Sequence, residues 1–222
     1  MKVSVVIPVF NEEKYLKNCL ESICNQEITA DEIIVVDNNS TDKSVEIAKE
    51  FPVRIVHEAE QGMIAARNRG FNEAKYEIIA RTDADVTVPR TWIKTIKHMF
   101  DTQEIDAFSG PIVYDLPFQT SNSALLFLST SKILFGHNIL LGPNMILKKS
   151  AWNQVKDEVC LDDNEVHEDI DMSIHLDQHH LKIEVDPKFV VKSSSRRIRE
   201  KPWSFFLEYP YRVMKTIRHH ER

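Results

Sequence analysis

Short, unbroken apolar runs alternate with amphipathic stretches through the first 85 residues. Residues 3–9, Val-Ser-Val-Val-Ile-Pro-Val, are mostly β-branched, the mark of a strand buried on both faces. Asn11-Glu12-Glu13 then opens an amphipathic helix predicted to run to about residue 26. Residues 33–36 repeat the strand pattern, and Ser40-Thr41-Asp42 supplies a helix cap ahead of Val45, Ile47 and Ala48. A third strand follows at 53–57, a third helix at 62–74 and a fourth strand at 76–81. This order predicts an α/β fold of Rossmann-like type, a mainly parallel sheet flanked by helices on both faces and joined by right-handed crossovers.

The second half is less regular. Its pattern predicts helices at 89–100, 123–135 and 165–180, extended segments at 107–114, 144–147, 182–185 and 189–191, and a terminal helix at 203–220 that Pro210 should kink or break. No repeat or low-complexity linker interrupts the chain, so the expectation is one domain over residues 1–222.

Sheets of this kind bind ligands at the carboxyl ends of their strands. Three such ends carry suitable groups: Asn11 and Glu12 after the first strand, Asp37 after the second, and Asp83 with Asp85 after the fourth. Asp83 and Asp85, two apart on an extended segment, project to the same side and can reach one divalent cation, or one ribose and diphosphate. Acidic pairs at strand ends are commonly solvated loop residues, so the pair gains meaning only from its surroundings.

Composition narrows the class. With 42% hydrophobic and 28% charged residues, the 222-residue chain reads as an ordinary globular domain. Cys19, Cys24 and Cys160 are odd in number and lack zinc-site spacing, which favours reduced thiols in a cytoplasmic protein. The opening residues lack a leader pattern, and the apolar stretch 124–141 is interrupted by Ser129, Ser131, Lys132, His137 and Asn138, so no membrane span is expected. The net charge of -6 hides an asymmetry: residues 188–222 hold ten Lys and Arg against three Asp and Glu, the remainder 18 against 31. An acidic body argues against nucleic-acid binding, and the basic tail suits an anionic surface or substrate.

In this setting the chain resembles the family 2 glycosyltransferases of GT-A fold. The residues that carry the resemblance are Val5-Val6-Ile7-Pro8-Val9-Phe10-Asn11-Glu12; Ile33 to Asp42, with Asp37-Asn38-Asn39-Ser40 inside it; Gly62, Ala65-Ala66-Arg67-Asn68 and Gly70; Asp83-Ala84-Asp85; Gly142-Pro143-Asn144-Met145; and His167-Glu168-Asp169-Ile170-Asp171. The resemblance implies a nucleotide-diphospho-sugar donor, a UDP-sugar first among them, a divalent cation (Mn2+ or Mg2+), inversion at the anomeric carbon, and a glycan or lipid-linked acceptor. It also implies a nucleotide-binding half over 1–100, an acceptor-binding half over 101–190 and a basic aromatic tail over 191–222. Carried over by position, Pro8, Val9, Asn11 and Glu12 border the base and ribose, Asp37 binds base or ribose, and Arg67 contacts the nucleotide. Asp83 faces the ribose side of the cation and Asp85 holds it, while Asp169 is the general base.

Two features depart from the family pattern. Asp37-Asn38 stands where many members carry two acids, and Val191-Lys192-Ser193-Ser194-Ser195-Arg196-Arg197 lacks the metal-binding histidine that many members place there. Arg196 and Arg197 are candidates for binding the diphosphate as a closing basic loop. The missing histidine also keeps open a nucleotide-sugar-binding module without catalysis.

Other residues have plainer readings. Asp42 reads as a helix cap, Asp171 as a structural acid at a helix start, and Trp92 and Trp152 as core or rim aromatics. His137, His179, His180, His219 and His220 are scattered and read as surface or packing groups, with the terminal pair a remote source of a third metal ligand. The aromatic and basic stretch 203–212 is suited either to an anionic membrane surface, at the inner face of the cell membrane, or to packing on the body or a second subunit.

Overall fold

The computed structural model describes residues 1–116, 121–200 and 209–220. Its first half follows the predicted alternation: β1 (Val3–Val9), α1 (Leu16–Cys24), β2 (Glu32–Asp37), α2 (Ser44–Ala48), β3 (Arg54–His57), α3 (Met63–Glu73) and β4 (Ile78–Arg81). Then come β5 (Val86–Thr87), α4 (Trp92–Thr102), β6 (Ala107–Ser109), β7 (Ile112–Tyr114), α5 (Ser121–Phe135) and a 3-10 turn at Gly142–Asn144. The remainder is β8 (Met145–Lys148), α6 (Lys149–Val155), α7 (Glu168–Gln178), β9 (Ile183–Val185), β10 (Val191–Ser193), α8 (Arg196–Glu200) and α9 (Tyr209–His220).

Seven strands form the main sheet in the order β3-β2-β1-β4-β8-β6-β9, with β1, β2, β3 and β4 parallel and β8 antiparallel to both β4 and β6. The second half therefore extends the sheet of the first. Every residue of β1 is buried, and its side chains divide between two cores: Val3, Val5, Ile7 and Val9 on one face, Val6 with Ile34 and Val36 on the other. Period-2 alternation explains why this strand has no polar face.

The predicted strand 107–114 is two strands in two sheets. Gly110-Pro111 divides them, and a Cβ on Gly110 would lie 2.0 Å from the Phe189 carbonyl oxygen, so only glycine permits that approach. Past the break, β7 joins a small sheet, β5-β10-β7. The first helix starts at Leu16 rather than Asn11, because residues 11–13 are tied to the next loop instead. Asn11 Oδ1 accepts from the Thr41 N–H, and Ser44 Oγ accepts from the Glu12 N–H. Helices α6 and α8 are additional to the predicted set.

Trp92 and Trp152 are core residues, their indole N–H groups donating to Asn144 and Asn72. Helix α9 packs on the body. Thr216 Oγ1 accepts from the His167 N–H, Arg212 donates to the Asp163 and Val166 carbonyls, and Lys215 reaches Glu165. Pro210 falls in the first turn described for α9. Residues 203–208 of the aromatic stretch lie outside the described residues. Among the described residues, no helix is long and apolar enough to cross a membrane.

Candidate active site at the carboxyl edge of the sheet

Adjacency of β2, β1 and β4 brings their carboxyl ends side by side, with Asp37 opposite Val9 in the ladder. Pro8 and Val9 are buried strand residues, and the Val9 carbonyl accepts the Asn38 N–H. Asp37 is nearly buried, accepts the Ser40 N–H through Oδ1, and faces the His57 ring through Oδ2. Asn38 has a role that a second acid could not fill. Its amide nitrogen donates to the Glu58 and Glu60 carbonyls while its oxygen accepts from Gln61 and the Gly62 N–H, clasping the loop into α3.

Asp83 and Asp85 follow β4 with different partners. Asp83 Oδ1 accepts from Arg81 at 3.0 Å, whereas Asp85 Oδ2 accepts from the Ser194 hydroxyl at 2.6 Å. Burial pushes the Asp83 carboxyl up to about 6; Arg81 works against this, and the neighbouring Asp85 and Glu168 carboxylates reinforce it. The β5–β10 pairing carries Ser194 to Asp85, with Ser193 opposite Val86 and the Ser194 N–H on the Asp85 carbonyl. Two residues further, Arg196 makes a two-pronged ion pair with Glu12 at 2.9 and 2.6 Å and lies over the Tyr15 ring. The Arg197 side chain lies outside the described residues.

Arg67, expected to contact the nucleotide, is placed differently. Its guanidinium is fully buried and donates to the Glu168 carbonyl and to Glu168 Oε2, both at 2.9 Å. Arg81 holds the other Glu168 oxygen and also Asp83. A continuous charged chain, Arg67–Glu168–Arg81–Asp83, thus joins the start of α7 to the end of β4. Gly142 leaves room for it: a Cβ there would stand 2.9 Å from Glu168 Oε1 and 3.0 Å from Arg81 Nη1.

Asp169 follows Glu168 in the first turn of α7 and is buried to 5% exposure. Its Oδ2 accepts the Gly142 N–H at 3.1 Å, and its Oδ1 is hydrogen-bonded to His167 Nδ1. Burial alone would raise the carboxyl. The His167 charge and hydrogen bond, the Gly142 N–H and Arg81 outweigh it, holding Asp169 well below the usual carboxylate range. The same pairing raises His167 against the effect of its own burial.

Sequence reasoning overlooked Arg81, Ser194 and the support given by His167 and Glu168. A signal for Arg81 was present, since a charge two residues before Asp83 on a buried strand shares its face. Ser194 left none, because its position depends on a strand pairing more than 100 residues apart.

The arrangement is a GT-A fold with acidic groups gathered at the carboxyl edge of its sheet. The chain belongs to glycosyl transferase family 2, whose profile matches residues 4–142. It is 33% identical over 162 residues to the uncharacterized glycosyltransferase YibD of Escherichia coli K12, covering 69% of this chain and 46% of that protein. It is 29% identical over 205 residues to the uncharacterized glycosyltransferase MJ1057 of Methanocaldococcus jannaschii, covering 86% and 69%. Among solved structures it is similar to the mannosyltransferase PcManGT of Pyrobaculum calidifontis in complex with GDP-Man and Mn2+, with TM-score 0.72, 20% identity, and 90% and 60% of the two chains covered. It is also similar to S. aureus TarS 1-349 in complex with UDP-GlcNAc, with TM-score 0.69, 20% identity and 87% and 58% covered. The chain spans about half or less of the length of YibD and of the pneumococcal glycosyltransferase GlyG, 46% and 38%.

Proposed function

We propose that this chain is an inverting glycosyltransferase that moves a sugar from a nucleoside-diphosphate sugar, a UDP-sugar first, to an acceptor hydroxyl with the aid of a divalent cation. The observation that carries the reading is the state of Asp169: a buried carboxylate, oriented by His167 and Gly142, kept ionised, and linked to the Asp83–Asp85 edge through Glu168 and Arg81. An ionised carboxylate in hydrogen-bond reach of an attacking hydroxyl contributes roughly 10²- to 10⁴-fold to a rate. Asp169 takes the hydroxyl proton as the oxygen attacks the anomeric carbon on the face opposite the departing diphosphate, which inverts that centre.

The residues present suit a hard cation. Asp83 and Asp85 offer only oxygen, and each keeps one carboxylate oxygen without a hydrogen bond among the described residues. Asp83 is raised chiefly by burial and further by the Asp85 and Glu168 carboxylates, a repulsion that a cation would offset. Bound there, Mn2+ or Mg2+ supplies positive charge for the leaving nucleoside diphosphate. The PcManGT and glucosyl-3-phosphoglycerate synthase structures contain Mn2+ with a nucleotide, which supports the same choice. Asp37, with Asn11 and Glu12, borders the base and ribose from the ends of β2 and β1, and Arg196 exchanges Glu12 for the diphosphate.

A groove lined by Thr130, Ser131, Leu134, Phe135, Ile170 and Val213 takes in the residue that follows Asp169, and Leu126, Ile133 and Leu134 of α5 are exposed. That apolar margin supports a lipid-linked glycan as acceptor and a peripheral contact with a membrane surface.

Thermal unfolding with UDP, GDP, dTDP and CDP, each with and without Mn2+, tests the donor assignment, because a ligand bound only to the folded state raises stability by RT ln(1 + [L]/Kd). At 100 Kd the expected gain is about 2.7 kcal/mol with UDP and Mn2+. Asp85→Ala should abolish it without lowering the unliganded midpoint. Stabilisation by no nucleotide would overturn the donor assignment, and stabilisation without any transferase activity would favour a nucleotide-sugar-binding module.

A further inference from the structure

A second group of metal-ligating side chains lies between α7 and α9. Asp171 and His175 stand one helical turn apart on α7, and His220 enters from α9. The ligand atoms of all three lie within 4.8 Å of one another. Both imidazoles turn Nε2 toward the same oxygen, Asp171 Oδ1, at 3.6 Å from His175 and 2.9 Å from His220. Donors about 2.0–2.1 Å from a tetrahedral zinc are separated by about 3.3 Å, a value these two distances bracket.

The surroundings are those a metal site needs. Asp171 is fully buried, and its other oxygen is fixed by the Cys160 N–H at 3.0 Å, which leaves Oδ1 to point between the two rings. His175 Nδ1 makes no hydrogen bond: Glu158 Oε2 stands 3.6 Å from it, beyond hydrogen-bond reach, with both Glu158 oxygens on His179 Nε2 at 2.9 and 3.0 Å. A carboxylate behind the non-ligating nitrogen is the usual support of a metal-bound histidine, and Glu158 is the group near enough to take that place when His175 turns onto an ion. At 3.6 Å, His175 and Asp171 are too far apart for a hydrogen bond, so proton sharing does not explain why the second imidazole is aimed there.

We propose that Asp171, His175 and His220 bind a Zn2+ ion, with water in the fourth position. One carboxylate and two imidazoles are a borderline donor set that favours zinc over Mg2+ or Mn2+, in contrast to the all-oxygen pair Asp83 and Asp85. The ion clamps α9 to α7 two residues beyond Asp169, so the terminal helix and the helix bearing that carboxylate are held as one unit. The proposal is independent of the glycosyl-transfer reading.

The test uses the tag-free full chain, stripped with a chelator and titrated with Zn2+ against a chromophoric competitor. One equivalent is expected to bind. His175→Ala and His220→Ala should each weaken binding at least 100-fold, and Glu158→Gln about tenfold, the usual range for loss of an outer partner. Co2+ in place of zinc should give the intense visible bands of a tetrahedral site, absent in His220→Ala. Asp85→Ala should bind zinc as the unaltered chain does, which separates this site from the strand-end acids. Circular dichroism checks that each variant is folded. Failure of the unaltered chain to bind Zn2+, or equal binding by folded His220→Ala and His175→Ala, would overturn the proposal and leave a proton-bridged Asp171–His220 pair.

Discussion

The acids at the ends of β2 and β4 and the acids at the start of α7 belong to the same candidate site but are held differently. Asp37 and Asp85 each meet one or two neutral or weakly charged partners, Ser40, His57 and Ser194, along the carboxyl edge of the sheet. Glu168 and Asp169 are buried in a lattice of Arg67, Arg81 and His167. The first arrangement leaves charge available to a cation or sugar. The second spends its charge internally to fix one carboxylate in position and keep it ionised. Substitutions at the two places should therefore fail in different ways, the first in binding, the second in turnover or folding.

The largest effect separates those outcomes. Asp169→Asn preserves volume and the contact with the Gly142 N–H but cannot take a proton, so kcat should fall by roughly 10²- to 10⁴-fold while nucleotide binding, read by thermal shift, is retained. Full activity in that variant with its own donor and acceptor would remove the proposed base. Glu168→Ala should act on the fold instead. It strips two buried guanidiniums of their shared carboxylate, and breaking a buried pair in this way costs about 3–5 kcal/mol. Denaturant unfolding measures this, and a loss below about 1 kcal/mol would mean that the charged chain from α3 to β4 is not what secures α7.

His167→Ala probes the link by pH. In the folded chain Asp169 is lowered and His167 raised, each chiefly by the other once burial is overcome. The Asp169 contribution to stability is present above its unfolded value, about 3.9, and is lost as pH falls through the depressed folded value. The His167 contribution is complete below about 6.5 and is lost as pH rises through the elevated one. Removing His167 takes away the largest of the effects that offset the burial of Asp169 and leaves only the Gly142 N–H and Arg81, so its carboxyl rises and the acid limb of the kcat profile should move to higher pH. An unmoved limb would assign His167 to packing alone.

The two regions also differ in how far they could be read from sequence. β1, β2 and β4 declared themselves because a doubly buried strand is a continuous β-branched run, and their ends were marked by Asn11, Asp37 and Asp83 directly. The family pattern singled out Asp169 as the candidate base. What it could not supply was the set of contacts that give Asp169 its properties, because these come from Gly142, 27 residues away, and from Arg81, 88 residues away. Arg67 was misplaced for the same reason. Its neighbours Ala65 and Ala66 do signal close packing, but the packing is against α7 and Trp152 rather than a ligand. His220 looked like a stray terminal histidine until α9 was seen to lie along α7.

The smallest expected effect is at the seam between the two regions. Arg196 follows β10, whose pairing to β5 also sets Ser194 on Asp85, and its ion pair with Glu12 is partly exposed. Such a pair contributes about 0–1 kcal/mol to folding. Arg196→Ala should leave the unfolding midpoint nearly unchanged. If Arg196 leaves Glu12 for the diphosphate, the lost charge-assisted contact should appear as roughly a tenfold rise in donor KM, about 1.4 kcal/mol, with kcat little altered. An unchanged KM with a lowered midpoint would instead make the Arg196–Glu12 pair a fixed strut, and the strand-end region would then be as internally committed as the start of α7.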